Sequence, residues 1–264
     1  MSRRSWFART AVAAVMLGAG TAASAAVTTF NNFEGATNGT SYGFRTPSLS
    51  GTTDDNLNGF WATITPNIQR ATNTFPVGNL NAGTMVGETQ FQFIDNTLTK
   101  WLRHTTSGAT GVPNPLIDLH QPVNFDIYST VPISVSLLVR ETGGTGPIGG
   151  NGGSTGTIEF VGATSFAGSQ GGANAGPVGK AVPANTWTTL TFDIPTEPVA
   201  GFTGNGVLTG DWGVLEALGI TSTGDAGPIT VFYDNFSQGV VPEPAALSLV
   251  GFAALGLLAR RRRA

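Results

Sequence analysis

The sequence predicts an all-β protein whose body is a single antiparallel β-sandwich. Several short segments alternate apolar and polar residues with a period of two, as strands with one buried face do. Glycine (37 residues) and proline (15 residues) are frequent between these segments, and both favour turns. No long segment carries the apolar spacing of a helix, so the many short strands favour a sandwich over a helical or mixed fold.

The N-terminal segment, residues 1–25, has the order of features found in a secretory signal peptide. Three arginines lie within the first nine residues, residues 11–20 are apolar, and Ala23-Ser24-Ala25 has the small-x-small form of a cleavage site. The apolar run is too short to span a bilayer. We therefore expect cleavage after Ala25 by signal peptidase; a structural N-terminal helix is the alternative.

The body, residues 26–240, contains eight strand candidates in one domain without an internal repeat. In residues 132–140, for example, Ile133 and Val135 face one way and Ser134 and Ser136 the other. The side chains expected in the core include Leu190, Phe192, Ile133, Val135 and Phe232. The strand candidates are residues 27–33, 60–64, 89–94, 123–128, 132–140, 157–161, 188–194 and 229–236.

Two further features of the body differ from this strand pattern. Residues 212–218 are rich in helix-forming residues and are predicted to form one or two helical turns, with Asp211 as the N-cap. Glycine is dense on both sides of the strand candidate 157–161. Residues 143–155 and 162–179 are therefore expected to be flexible surface loops.

Charge and cysteine content exclude several classes of function. The chain has no cysteine, which rules out disulfides, thiolate metal sites and a cysteine nucleophile. Six of the 13 basic residues and 15 of the 16 acidic residues lie in the body, so its net charge is −9. An acidic body argues against binding to nucleic acid, whereas it is compatible with divalent cations and neutral glycans.

Three motif matches lack the context that their chemistry needs. Residues 144–149 fit G-x-G-x-x-G, but the following glycines and proline disfavour the helix of a dinucleotide site. Residues 152–156 fit G-x-S-x-G without the helix and partnering histidine of a nucleophile elbow. Residues 54–59 fit half of a calcium loop, but Thr65 stands where its bidentate glutamate belongs, and a turn explains these residues without metal.

The C-terminal segment, residues 241–264, carries a second transport signal. Pro242, Glu243 and Pro244 precede residues 245–259, which are uncharged and would reach roughly 22 Å as a helix, short of a hydrocarbon core of about 30 Å. The chain then ends with basic residues that favour the cytoplasmic side of the membrane, namely Arg260, Arg261, Arg262 and Arg263.

This segment resembles the PEP-CTERM sorting signal of Gram-negative bacteria. The resemblance implies a transient anchor, a short transmembrane helix in the inner membrane, and then cleavage near the motif by an exosortase. The protein would reach the cell surface or an exopolysaccharide matrix. A permanent single-span anchor is the alternative.

Three stretches of the body resemble jelly-roll carbohydrate-binding modules. They are Phe30-Asn-Asn-Phe33-Glu34-Gly35, the "W-x-x-L-x-F-D-I" stretch 187–194, and residues 229–236. The resemblance implies that the first and last strands are neighbours, and that Glu34 and Asp234 bind a structural calcium ion. Two ordinary strand-end carboxylates are the alternative.

Exposed aromatic rings would carry binding to a glycan, and the candidates are Trp61, Trp101, Tyr42 and Tyr128. For each of them a position in the core or at a sheet edge is the alternative. We therefore predict a non-catalytic, exported surface or matrix protein that binds a glycan. A structural or adhesive protein without a small-molecule site and, less favoured, a secreted carbohydrate-active hydrolase are the alternatives.

Overall fold

The computed structural model describes residues 27–44, 68–79, 83–91, 99–106, 114–163, 178–223 and 227–240. These residues form strands β1 (Thr28–Asn31), β2 (Ile68–Thr72), β3 (Val86–Phe91), β4 (Thr99–Thr105), β5 (Leu116–Asp118), β6 (Val123–Ser129), β7 (Ile133–Arg140), β8 (Ile158–Val161), β9 (Lys180–Val182), β10 (Thr188–Phe192), β11 (Val199–Gly201), β12 (Trp212–Thr223) and β13 (Ile229–Gln238). Within these ranges no helix has the length and apolarity needed to cross a membrane. The predicted signal peptide, the tail segment and strand candidate 60–64 lie outside them.

The strands form two antiparallel sheets that enclose a common core. Sheet 1 has the order β10-β6-β13-β3-β2, and β1 pairs with β13. Sheet 2 has the order β11-β8-β7-β12-β4; β5 pairs with β12, and β9 pairs with β7. The predicted antiparallel β-sandwich is confirmed.

Alternation along the strands places the core between the sheets. In β6, Val123, Phe125 and Ile127 join the core cluster, whereas Asn124 and Asp126 hydrogen-bond to threonines of β10. The five predicted core side chains are all buried. Phe232 is the exception in position, since it belongs to a smaller apolar cluster with Val86 and Trp187.

The first and last strands are neighbours, as predicted. In β1, Thr28 pairs with Gln238 and Thr29 with Ser237 of β13, in an antiparallel register. Strand β13 also pairs with β3 and β6. It therefore lies inside sheet 1, where its side chains contribute to the core and its backbone pairs with a strand on each side.

The predicted helix at residues 212–218, with Asp211 as its N-cap, is wrong. These residues begin β12, a strand of 12 residues between β7 and β4. A Cβ at Gly213 would lie 2.8 Å from Cγ1 of Val139 on β7, so glycine permits close approach of the two strands. Backbone pairing on both sides outweighs the helix propensity of leucine, glutamate and alanine, because intrinsic propensity is a weak preference that tertiary context overrides.

Candidate functional site

A cleft of about 540 Å³ opens at the start of β12. One wall is the segment that follows β7, and the other is the segment that leads into β12. The cleft is lined by Glu141, Thr142, Gly143, Gly144, Thr145, Thr209, Gly210, Asp211 and Trp212. One aromatic ring, two carboxylates and three hydroxyls thus surround a volume within the range of about 300–1,000 Å³ that is usual for small-molecule sites.

Trp212 differs from the two other tryptophans that the structure describes. Trp187 is buried and donates its indole N–H to the carbonyl of Pro76 at 2.9 Å. Trp101 is buried with its ring edge-on to Phe160. Trp212 is half-buried, and within the described residues its indole makes no hydrogen bond and no ring contact. Trp212 therefore lines the cleft with an indole that no described residue hydrogen-bonds or stacks on.

Glu141 ties the two walls of the cleft together. Its Oε1 accepts hydrogen bonds from the backbone N–H of Thr209 at 2.6 Å and from the Thr209 hydroxyl at 2.7 Å. Its Oε2 accepts one from the hydroxyl of Thr157 at 3.0 Å. The carboxylate is therefore held in a fixed position, and it adds a fixed negative charge to the cleft.

Asp211 is the more available carboxylate of the cleft. Its side chain is 81% exposed, and its Oδ1 lies 3.7 Å from Nε2 of His120. Nδ1 of His120 lies 3.2 Å from Oδ1 of Asp118, and Asp118 is the cross-strand partner of Trp212. An acidic rim with one histidine thus borders the tryptophan.

The carboxylates of Glu34 and Asp234 come together beside Gly83. A Cβ at Gly83 would lie 2.6 Å from Oε1 of Glu34 and 3.4 Å from Oδ2 of Asp234. The two oxygens are therefore close to one point. Asp234 also faces Asp126 across the sheet, and its Oδ2 accepts a hydrogen bond from Nδ2 of Asn79 at 2.6 Å. In the described ranges no group of three or more histidine, aspartate and glutamate side chains has an arrangement suited to a metal ion.

The two carboxylates have opposite electrostatic environments. Burial raises the pKa of Asp234 to about 7; hydrogen bonds from Asn79 and Asn235 oppose the shift, whereas the charges of Asp126 and Glu34 add to it. At Glu34 burial also favours the neutral form, but hydrogen bonds from Thr84 and Met85 outweigh it and lower the pKa. Asp234 therefore carries a proton or a neutralising cation more readily than Glu34 does.

The aromatic residues predicted to stack on sugar lie in separate places. The ring of Trp101 is 2% exposed and packs against Phe160 and Phe202. Tyr42 is half-buried against Phe33. Tyr128 packs beside Trp187 and donates its hydroxyl to Oδ1 of Asn185 at 3.1 Å. Trp61 lies outside the described residues.

Sequence reasoning missed Trp212 and Asp211 as site residues because it placed them at the start of a short helix. Two signals in the sequence favoured a strand. Gly213 is a poor helix residue, and Ile220, Thr221 and Thr223 continue the segment with β-branched side chains. A strand at this position presents Trp212 beside the glycine-rich segment 143–145 that follows β7.

The C-terminal part of the chain matches a known sorting signal. Residues 240–263 match the PEP-CTERM protein-sorting motif. This motif implies export to the cell envelope or surface of a Gram-negative bacterium and processing by an exosortase. The predicted sorting signal is confirmed.

The body was also compared with solved structures. It is similar to an exo-β-agarase at 12% identity and a TM-score of 0.37, over 81% of this chain and 25% of that one, so the chain spans a quarter of the agarase. It is similar to a family 11 carbohydrate-binding module from Clostridium thermocellum in complex with a β-1,3-1,4-mixed-linked tetrasaccharide (12% identity, TM-score 0.36, 77% and 99% coverage). It is similar to the family 11 carbohydrate-binding module of the cellulosomal cellulase Lic26A-Cel5E of Clostridium thermocellum at 13% identity and a TM-score of 0.34, over 78% of this chain and 99% of that one. No curated protein matches the sequence.

Proposed function

We propose that this chain is an exported, non-catalytic surface or matrix protein whose β-sandwich binds a glycan in the cleft at Trp212. The observation that carries the proposal is the state of the Trp212 indole, which is half-buried in a cleft and makes no hydrogen bond or ring contact among the described residues. An aromatic side chain that packing alone requires is normally covered, and a buried indole N–H normally finds a partner. Trp101 and Trp187 are both covered, and Trp187 donates its indole N–H to the carbonyl of Pro76.

The rest of the cleft supplies the polar groups that a sugar needs. The apolar face of a pyranose ring stacks on an indole, and its hydroxyls require hydrogen-bonding partners. Thr142, Thr145 and Asp211 line the cleft beside Trp212 and can provide those partners. Gly143 is exposed at the same wall, whereas the N–H of Gly144 donates to the hydroxyl of Thr142 at 3.1 Å.

Binding explains the two cleft carboxylates better than hydrolysis does. A glycosidase uses two carboxyl groups about 5–10 Å apart, one of which is a free proton donor. Glu141 accepts three hydrogen bonds from Thr209 and Thr157, so this carboxylate holds the two walls of the cleft together. Asp211 then has no second acid to work with in the cleft.

A glycan array on the purified full chain, followed by calorimetric titration of the best ligand, tests this function. We expect Trp212→Ala to weaken binding by about tenfold, since aromatic stacking contributes roughly 0.5–1.5 kcal/mol in addition to the apolar area that it buries, and Trp212→Phe to retain part of it. Val207→Ala, which removes an exposed apolar side chain from the segment before the cleft, is the control. Equal binding by Trp212→Ala and the unaltered protein would leave the structural or adhesive alternative.

Delivery by the sorting tail fits the way the sandwich ends. Strand β13 stops at Gln238. The carbonyl of Gly239 accepts a hydrogen bond from the amide of Asn124 at 2.9 Å, and the N–H of Gly239 donates to the carbonyl of Pro122. Pro242 follows three residues later. We propose that signal peptidase removes residues 1–25, that residues 241–264 hold the chain transiently in the inner membrane, and that an exosortase then releases a body with both sheets intact to the exopolysaccharide.

Mass spectrometry of the surface fraction tests this route. The expected mature protein begins near Ala26 and lacks the peptide that contains Arg260–Arg263. Replacing Pro242 and Pro244 by alanine should leave the protein in the inner membrane. A surface form that retains the arginine run contradicts release and favours a permanent anchor.

We further propose that Glu34 and Asp234 hold a structural calcium ion. Their convergence beside Gly83 brings together two like charges, which repel unless a proton or a cation lies between them. Calcium takes 6–8 oxygen ligands, so further amide and backbone carbonyl oxygens would complete the set. An ion bound only by the native state stabilises the fold by mass action.

Thermal melting of the purified chain with calcium and with chelator tests the ion. Calcium should raise the midpoint, and Glu34→Gln should remove most of that shift. Gly83→Ala should act similarly because its Cβ would displace Oε1 of Glu34, whereas Gly227→Ala, where a Cβ meets open space, is the control. An unchanged midpoint together with no bound calcium by elemental analysis contradicts the site.

A further inference from the structure

The charge of the Trp212 cleft limits the kind of glycan that fits it. Among the described residues that line it, the charged side chains are Glu141 and Asp211. The adjacent Arg140 is directed elsewhere, since it contacts Glu216 at 2.9 and 3.0 Å and donates to the carbonyl of Gly156 at 2.8 Å. A ligand in the cleft therefore meets two carboxylates, and the imidazole beside them, that of His120, lies 3.7 Å from Oδ1 of Asp211.

The two acids contribute in different ways. Glu141 accepts three hydrogen bonds from Thr157 and Thr209, so it keeps its position and acts on a ligand mainly through its charge. The side chain of Asp211 is 81% exposed, and its carboxylate accepts no hydrogen bond from a described residue; Nε2 of His120 lies 3.7 Å from its Oδ1. Asp211 is therefore the group that can contact a ligand directly.

Asp211 and Trp212 are consecutive residues that line the same cleft. A carboxylate beside an accessible indole face suits an ammonium group, because tryptophan is the strongest cation–π partner and the carboxylate adds a charge-assisted hydrogen bond. Carboxylates or sulfates on a sugar would be repelled by the same acids. On the basis of the proposed glycan function, we propose that this cleft selects a glycan whose bound unit carries a free, protonated amino group, and that it rejects uronic-acid polymers.

The test compares three oligosaccharides of equal length on the full chain by calorimetry: a glucosamine tetramer, its fully N-acetylated counterpart, and a galacturonic-acid tetramer. We expect the glucosamine tetramer to bind about three- to tenfold more tightly than the acetylated one, in proportion to one cation–π and one exposed charge contact. The galacturonic-acid tetramer should not bind. The preference for the amine should shrink as salt is raised, because exposed charges are screened.

Asp211→Asn identifies the residue responsible. This variant should bind the glucosamine tetramer more weakly than the unaltered chain does and keep only the part of the preference that the Trp212 cation–π contact supplies, while the acetylated affinity stays unchanged. Asp193→Asn, which removes the same charge at an exposed position after β10, is the matched control and should keep the preference.

The outcomes separate this inference from the proposed function. The amine selectivity is overturned, and the glycan site is kept, if the glucosamine tetramer and its N-acetylated counterpart bind equally. In that case Asp211→Asn changes neither affinity, whereas Trp212→Ala abolishes both. Competition by spermidine as strong as that by the glucosamine tetramer overturns it too, since the cleft would then select an amine without the sugar. Binding of no oligosaccharide, with an intact melting transition, overturns the proposed function as well.

Discussion

A tryptophan lies at each end of strand β12, and the two rings have opposite surroundings. At its far end Thr221 pairs with Trp101, whose ring is covered by Phe160 and Phe202. At its beginning, Trp212 stands half-buried beside the exposed Asp211. Between them, the buried Glu216 is paired with two arginines. The covered end thus contributes to stability, and the open end has ring surface and polar groups left for a ligand.

The largest expected effect is at the covered end. Phe160 is fully buried and contacts the rings of Trp101 at 5.5 Å and Phe202 at 5.3 Å. Phe160→Ala should lower the free energy of unfolding by about 3–5 kcal/mol, because it removes a buried ring and leaves a cavity. Urea denaturation followed by tryptophan fluorescence measures it. A loss below about 1 kcal/mol would show that this end is as open as the other.

Glu216 should give the next largest effect. Its Oε1 lies 2.7 Å from Nη2 of Arg103 and 2.9 Å from Nη2 of Arg140, and all three side chains are at most 13% exposed. Glu216→Gln should lower stability by about 3 kcal/mol, because it leaves two buried cations without their counter-ion. Glu88→Gln is the matched control. Its ion-pair partner Arg70 is 42% exposed, so this variant should lower the free energy of unfolding by no more than about 1 kcal/mol. Equal losses in the two variants would contradict the distinction.

A third expected effect concerns pH and contrasts Glu216 with Asp234. At Glu216 burial raises the pKa, but Arg140 and Arg103 outweigh it and lower the pKa below 4.5, so its contribution is lost on acidification. At Asp234 burial raises the pKa from 3.8 to about 7. Between pH 3.8 and about pH 7, Asp234 is protonated in the native chain and ionised in the unfolded chain. The native chain therefore binds one more proton, and its stability should fall as pH rises through this window.

The measurement is the free energy of unfolding with chelator present, from pH 4 to pH 8. Asp234→Asn should remove the decline that the unaltered protein shows up to about pH 7. Identical pH profiles for the two proteins would contradict the raised pKa.

The smallest expected effect on stability is at the open end. Trp212→Ala should lower the free energy of unfolding by about 1–2 kcal/mol, because the ring is only half-buried and makes no hydrogen bond with a described residue. The same variant should lose glycan binding, so stability and function separate at this residue. A loss comparable to that of Phe160→Ala would mean that Trp212 is a packing residue.

The predictions from sequence were most accurate where one local property decides the structure. The alternation in β6, β7 and β10 identified these strands, since a period of two is the geometry of a half-buried strand. The sorting signal was readable because proline, an apolar run and an arginine run act through composition and order. The pairing of β1 with β13 followed from a resemblance to carbohydrate-binding modules.

The candidate site depended on what the tertiary structure alone decides. Residues 212–218 have helix-forming side chains, yet pairing with β7, β5 and β4 makes them a strand. That strand places Trp212 opposite Asp118 and beside Glu141, residues that are far from it in the sequence. The sequence by itself determined the fold class, the acidic charge of the body and the sorting tail. Which tryptophan is covered and which is open was decided by long-range packing, because exposure depends on neighbours that no local pattern specifies.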